Sequence, residues 1–427
     1  MLNAGADLEQ QDKYGWTPLF FAVKENNLVN CKILLTAGAN INHRDVYGWS
    51  SLMYAARDGL NGIVDFLAIS GADLEISDQY GWTAIFFALS KQRRSTLRIL
   101  LDRNANINHL DIYGWNCLLY AARDGNTEMV DILLAADSQL SGEDKQGWDA
   151  LFFACWQNHP NTIKSLLAAG ANPEQVDKLG NTPLTCAAKY GNVEAIEELL
   201  KKAHNINRSD KTGWTALFFA VRNRQQQAVE LLVAKGANIN QFDIYHWSPL
   251  FYAVRNGDIE MIELLIKLGA NMEQFDDYER SPVAIAAAYN QPKSIIKLIE
   301  SGADIESLDY YQMSALDIAE EKHNHDAVIA LVKAGASMSR YNKDCGKTLI
   351  WATTNGHSEA VEILLAGGAN PDYSNNAYWT PLMYAAREGF SEIVTLLINY
   401  GANIEACDDY DWTPLIFAAW YNQVKVT

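Results

Sequence analysis

The chain is 427 residues long, 49% hydrophobic and 20% charged, with 52 acidic against 34 basic side chains and a net charge of −18. That balance argues against nucleic acid or an anionic membrane as partner, because both need clustered lysine and arginine. No apolar run approaches the roughly 18 residues of a membrane span, so no membrane insertion is expected, and the N-terminus lacks the shape of a secretory signal.

Residues 1–11 read as the end of a partial repeat, and from Asp12 onward one unit recurs every 33 residues. Alanine holds one position in all thirteen copies, at Ala22, Ala55, Ala88, Ala121 and on to Ala418. A fixed step of this length means a stacked solenoid whose neighbours share one core. Within the first unit, Thr17 reads as a helix N-cap and Pro18 as the first helical residue, where a missing N–H is harmless. A first helix is predicted over about Pro18 to Glu25 and a second over about Leu28 to Ala37, with Cys31, Leu34 and Leu35 on its apolar stripe. The second helix stops at a residue that tolerates positive φ: glycine in most copies, with Asn104 and Asp137 as substitutes and Ala203 as the exception. Ser50, Thr83, Asn116, Asp149 and Thr182 repeat the cap, and only Lys347 breaks it. The segments between units, such as Ala39 to Trp49, read as extended hairpin loops. The hairpin glycine is present from Gly15 to Gly213. It then gives way to His246, Glu279, Gln312, Cys345, Tyr378 and Asp411, so the later hairpins must turn differently or hold a left-handed non-glycine residue.

Twelve full repeats cover 12–407, with partial repeats at 1–11 and 408–427, which makes 1–427 a single array. Met1 stands where other copies bury a leucine, and Thr427 stops one turn into a second helix. The chain therefore reads as a piece of a longer protein. The six cysteines have no pairing pattern and read as reduced core thiols, which points to an intracellular, cytoplasmic protein.

The segment DVYGWSSLMYAARDGLNGIVDFLAISGADLE (Asp45 to Glu75) resembles the ankyrin repeat, with its D-x-x-G-x-T-P-L, A-A, G and L-L-x-x-G-A pattern. YWTPLMYAAREGFSEIVTLLINYGANIE (Tyr378 to Glu405) lies close to that consensus. The likeness covers the whole chain and implies an all-α solenoid of helix-turn-helix units with hairpin loops. One departure is the histidine that usually follows the T-P-L leucine. Phe20, Met53, Phe86, Leu119 and Phe152 stand there instead, so apolar packing is expected to replace its polar bonding.

The resemblance further implies that the hairpin tips and the exposed side of the first helix form a concave face for a protein or peptide partner. Residue by residue, that face would hold Tyr14, Trp16, Tyr47, Trp49, Arg57, Asp58, Tyr80, Trp82, Tyr113, Trp115, Arg123, Asp124, Trp148, Trp156, Trp214, Arg222, Tyr245, Trp247, Arg255, Trp379, Arg387, Glu388 and Trp412. Tryptophan, tyrosine and arginine are the side chains most enriched in binding hot spots. The competing reading of the tryptophans is a ladder in which each indole covers its neighbour's hairpin. A 66-residue alternation overlies the repeat: Tyr54, Tyr120, Tyr252 and Tyr384 lead into Ala-Ala-Arg or Ala-Val-Arg, while other copies read Phe-Phe-Ala. Duplication of a repeat pair accounts for it without a functional period. Around 276–374 the aromatic stripe is lost, and Asp317, Glu320 and Glu321 make one first helix acidic.

No catalytic motif stands out. Gly346-Lys347-Thr348 lacks the earlier glycine of a phosphate loop, because Tyr341 occupies its place. His323 and His325 have no ligand-spaced partners, so no metal or cofactor is expected. The reading is a non-enzymatic protein-interaction scaffold, with a structural spacer or elastic array in a larger protein as the alternative.

Overall fold

A computed structural model describes residues 5–140, 142–337 and 345–426. Met1, Tyr341 and Thr427, which entered the sequence reading, lie outside them. The described residues form 25 helices and no extended strand, apart from two isolated bridges, Arg44–Ser50 and Leu308–Ser314. The chain divides into two compact units, Met1–Lys211 and Thr212–Thr427. The first unit holds six helix pairs, from Pro18–Lys24 with Leu28–Thr36 to Pro183–Tyr190 with Val193–Leu200. The second holds six more, beginning with Ala216–Arg222 and Gln226–Ala234, and the single helix Pro414–Trp420.

Alanine is fixed every 33 residues because of close packing. The whole series from Ala22 to Ala418 is buried, and a larger side chain there would drive neighbouring helices apart. The leucine of the second helix is fully buried at Leu67, Leu100, Leu133 and onward to Leu397. In place of the expected histidine, Phe20, Met53, Phe86, Leu119, Phe152, Phe218 and Phe251 are buried apolar side chains. Two copies keep an oxygen-to-oxygen bond there, and Met53 and Met383 accept the N–H of Ser50 and Thr380 on sulfur, each at 3.4 Å. The Thr185 hydroxyl donates to the Thr182 carbonyl at 2.7 Å, and Ser314 donates to Asp317 at 2.8 Å.

Left-handed residues punctuate the described repeats at three fixed places, with Ala203 as the exception. At the hairpin tip the glycines from Gly15 to Gly213 give way to His246, Glu279, Gln312, Cys345, Tyr378 and Asp411, all with φ between 42° and 62°. The turn is therefore kept and the non-glycine residues adopt it. After the second helix, glycine, Asn104 and Asp137 take positive φ. Ala203 does not, and its helix, Val193–Leu200, stops a residue short of the usual nine. The third place, after the first helix, was not read from sequence. There Gln92, Arg224 and His323 join glycine and asparagine at positive φ.

The cap series is only partly a set of caps. Ser50, Asn116, Asp149, Thr182, Ser281, Ser314, Thr380 and Thr413 accept a backbone N–H in the first turn. Thr17, Thr83, Thr215 and Ser248 hold the same extended backbone without that bond. Burial pushes the Asp149 carboxyl up to about 6, against the bonds from Phe152 and Leu151 that favour its charge. At Lys347 the exception has a structural answer. The helix Gly346–Thr354 begins early, with no cap of its own, and Glu320 reaches from the preceding repeat to accept the N–H groups of Lys347 and Thr348 and the Thr348 hydroxyl. Glu320 and Asp317 are thus buried caps and not an acidic surface.

Candidate functional site

The described hairpins are organised by the repeated aspartate, or by Asn375 in its place. Asp45 Oδ1 accepts the N–H groups of Tyr47 and Trp49, both at 2.9 Å. The same pair of bonds forms at Asp12, Asp78, Asp111, Asp243 and Asp408. The residue two places on is thereby turned outward and the one four places on turned inward. The tip tyrosines Tyr14, Tyr47, Tyr80, Tyr113, Tyr245 and Tyr410 are 46% to 81% exposed. The indoles of Trp16, Trp49, Trp82, Trp115, Trp148, Trp379 and Trp412 are half-buried, and those of Trp214 and Trp247 are buried.

The second carboxylate oxygen ties repeats together. Asp45 Oδ2 accepts the Tyr54 hydroxyl of its own repeat at 2.7 Å and the indole N–H of Trp16 from the preceding one at 3.3 Å. Asp243 receives Tyr252 at 2.5 Å and Trp214 at 3.2 Å. Burial, and then the bond to carboxylate, holds the hydroxyls of Tyr54, Tyr120 and Tyr252 well above the usual tyrosine range. A parallel ladder runs through the loops, where Glu9, Asn42, Glu75 and Asn108 each accept a backbone N–H 31 residues further on.

The predicted basic residues turn back on the same rings. Arg57 lies 5.6 Å from the Trp49 ring and 5.0 Å from Tyr54, and it pairs with Asp58 at 2.7 and 2.9 Å. Arg123 repeats this over Trp115 and Tyr120, paired with Asp124, and Arg387 over Trp379 and Tyr384, paired with Glu388. Arg222 and Arg255 cover Trp214 and Trp247, while Trp156 meets Trp148 edge-on at 6.0 Å.

The 66-residue alternation has a structural consequence. Hairpins are joined backbone to backbone at alternate junctions: Val46 N–H to Tyr14 O, Ile112 to Tyr80, Lys178 to Gln146, Ile244 to Thr212 and Tyr310 to Tyr278, at 2.9–3.1 Å. At three of these closed junctions the glycine leaves little room for a side chain, since a Cβ on Gly15, Gly81 or Gly213 would lie 2.8–3.2 Å from the facing aspartate Cα, while Glu279 holds that place at the Tyr278 hairpin. The junction between the Tyr47 and Tyr80 hairpins carries no such bond; the same point on Gly48 lies 3.6 Å from the Asp78 Cα and 2.8 Å from the Arg44 guanidinium, which crosses to the Ser77 carbonyl at 2.6 Å.

A groove of about 630 Å³ occupies that open junction. It brings together Tyr47, Trp49, Arg57, Tyr80, Trp82 and Tyr113 from the predicted set. It adds Tyr54, Asp78, Gln79, Phe87 and Tyr120, which sequence reasoning passed over as repeat signature. Trp49 tilts onto Phe87 at 4.2 Å to form part of the wall. Tyr14, Trp16, Asp58, Trp115, Arg123, Asp124, Trp148 and Trp156 lie in the same unit outside this lining. Trp214, Arg222, Tyr245, Trp247, Arg255, Trp379, Arg387, Glu388 and Trp412 belong to the second unit. Among the described residues no group of three His, Cys, Asp or Glu side chains could hold a metal.

With this geometry in hand, comparison with known proteins defines the class. The sequence model for ankyrin repeats (three copies) matches residues 1–78, 52–146, 104–177, 151–243, 242–309 and 349–427, so the chain belongs to the ankyrin repeat family. Among solved structures it is similar to the ankyrin repeat domain of Bcl-3, a unique member of the IkappaB protein family. That likeness has 26% identity and a TM-score of 0.46, over 50% of this chain and 96% of the other. No curated protein sequence matches. No helix among the described residues is long and apolar enough to cross a membrane.

Proposed function

We propose that the chain is a non-enzymatic protein-interaction scaffold. Its partner, a protein or peptide, lies along the hairpin tips and the exposed side of the first helices, taken as a concave face. The observation that carries this reading is the row of exposed tyrosines, Tyr47, Tyr80 and Tyr113, standing over an aromatic groove. Rings already held in place lose little freedom when a partner covers them, which is where hot spots concentrate. The net charge of −18 favours a protein over a nucleic acid. A non-enzymatic role accords with the cysteines. Burial raises the Cys117 and Cys155 thiols well above their usual range and Cys186 to about 12, which leaves them poor nucleophiles. Five of the six free thiols are buried and Cys407, read from sequence as a core thiol, is exposed; unpaired thiols suit a cytoplasmic protein.

The test is a variant with Tyr47, Tyr80 and Tyr113 all changed to serine, immobilised beside the parent chain. The expected result is loss of the proteins that the parent captures. Recovery of the same set by both would refute the reading. A second role, as a stiff spacer, is favoured by the Trp16–Asp45–Tyr54 clamp and the loop ladder, and the two roles are compatible.

A further inference from the structure

We infer that the open junction between the Tyr47 and Tyr80 hairpins is a receptor for a cationic side chain, a lysine or arginine carried by an extended segment of the partner. This rests on the scaffold reading above and names the chemistry of its contact. The groove is walled by aromatic rings, whose faces attract cations. Asp78 is the only acidic side chain in its lining, and it is 8% exposed.

The two oxygens of Asp78 differ. Oδ1 accepts the N–H groups of Tyr80 and Trp82 at 2.9 Å. Oδ2 accepts no hydrogen bond from the described residues, unlike its counterparts at Asp45 and Asp243. Two donors are missing: the indole of Trp49 leans on Phe87 where Trp16, Trp214 and Trp247 donate, and the tyrosine hydroxyl is absent. Phe87 stands where Tyr54, Tyr120 and Tyr252 present the hydroxyl that claims this oxygen in Asp45, Asp111 and Asp243. A carboxylate oxygen in a mostly apolar groove is costly to leave without a partner. Arg57, the cation already on the wall, is taken up by Asp58.

The chain holds an internal counterpart of the proposed complex. At Asp276, the equivalent residue of the open junction between Tyr245 and Tyr278, Arg280 supplies a guanidinium directly. Its Nε and Nη2 reach Asp276 Oδ2 at 2.9 and 2.7 Å, and its charge lies 5.0 Å from the Tyr278 ring. The position thus accepts a cation between carboxylate and tip tyrosine when one is offered. Elsewhere at this 66-residue step, Asp144 is followed by Lys145, with Gln146 and Leu179 in place of Tyr80 and Tyr113, Asp210 is followed by Lys211, and Asp408 has Ala377 in place of Tyr47. Among the described residues only the Asp78 junction combines tyrosines on both sides with no cation bonded to the carboxylate; its own cation, Arg44, is engaged instead by the Gly48 and Ser77 carbonyls at 3.1 and 2.6 Å.

The test uses four acetylated, amidated heptapeptides, each with three glycines on either side of lysine, arginine, norleucine or glutamate. They are titrated against the whole chain while the indole N–H resonances of Trp49 and Trp82 are followed. Lysine and arginine peptides are expected to shift these resonances and to bind about tenfold tighter than norleucine, with glutamate weakest. Two variants remove the claim on a cation without removing the hairpin. Asp78→Asn keeps the Oδ1 acceptor, as Asn375 does for Ala377 and Trp379 at 2.9 and 3.0 Å. Phe87→Tyr supplies the hydroxyl that occupies Oδ2. Each is expected to reduce lysine affinity at least about fivefold and to leave norleucine unchanged. Equal binding of norleucine and lysine, absence of any shift, or lysine binding indifferent to both variants would overturn the inference. Loss of partner capture in the tyrosine variant alongside any of those results would leave the scaffold reading standing.

Discussion

The segments 45–135 and 276–337 use the same helix pair and the same aspartate-centred hairpin for different ends. In the first, aromatic side chains fill the free positions and a groove opens between hairpins. In the second, Arg280 closes on Asp276, and Asp317 and Glu320 turn inward as caps. Positions fixed at the 33-residue step make the stack: the alanine, the second-helix leucine and the aspartate Oδ1. Positions that drift decide whether a junction is sealed from within or left open to a partner.

The largest effects should come from the shared framework, and should be equal in either segment. Leu133→Ala and Leu298→Ala empty fully buried sites and are each expected to cost about 2–5 kcal/mol, read as denaturant midpoints. Ala121→Leu should cost about 1–3 kcal/mol by overpacking. Midpoints unchanged from the parent would mean that the shared framework is misassigned.

Next in size is the special cap of the second segment. Glu320→Ala strips the acceptor from two backbone N–H groups and a buried hydroxyl and should cost about 2–4 kcal/mol. Glu321→Ala, at an exposed neighbour, should stay within about 0.5 kcal/mol. Comparable effects of the two would mean that Glu320 does not act as the cap.

A smaller effect depends on pH. The Asp149 carboxyl has a folded value of about 6 against an ordinary value of 3.8. The folded chain therefore holds the proton more tightly than the unfolded chain. The neutral group carries no penalty below about pH 4, a penalty grows as pH rises from about 4 to 6, and it is complete above that. Asp149→Asn, which keeps the acceptor for the Phe152 N–H, is expected to stabilise by about 1–2 kcal/mol at pH 7 and to give no gain at pH 3.5. A gain independent of pH would point to packing instead of charge.

Much of the fold could be read from spacing alone, because the alanine, leucine, cap and glycine positions express constraints inside one repeat. The left-handed turn at His246, Glu279 and Gln312 was legible as one of two options, since the conserved hairpin length leaves few ways around. What escaped was set by contacts between repeats. Glu320 caps a helix whose first residue is 26 positions away, and no local pattern marks it. Trp16 and Trp49 look identical in sequence, yet the first bonds Asp45 and the second leans on Phe87, a choice made by the residue one repeat on. The alternation of closed and open junctions was visible as a 66-residue period, but its meaning depends on which backbones touch.

The central claim is a division of labour in the first unit: tip tyrosines face the partner and hairpin tryptophans hold neighbouring repeats. Stability and capture measured together on two variants test it most directly. Changing Tyr47, Tyr80 and Tyr113 to serine should abolish partner capture and move stability by no more than about 0.5 kcal/mol per site, as for exposed positions. Trp16→Ala should lower stability by about 2 kcal/mol or more through lost packing and the freed Asp45 oxygen. A tyrosine variant that captures the same proteins as the parent, or a tryptophan variant that melts like it, would contradict the account.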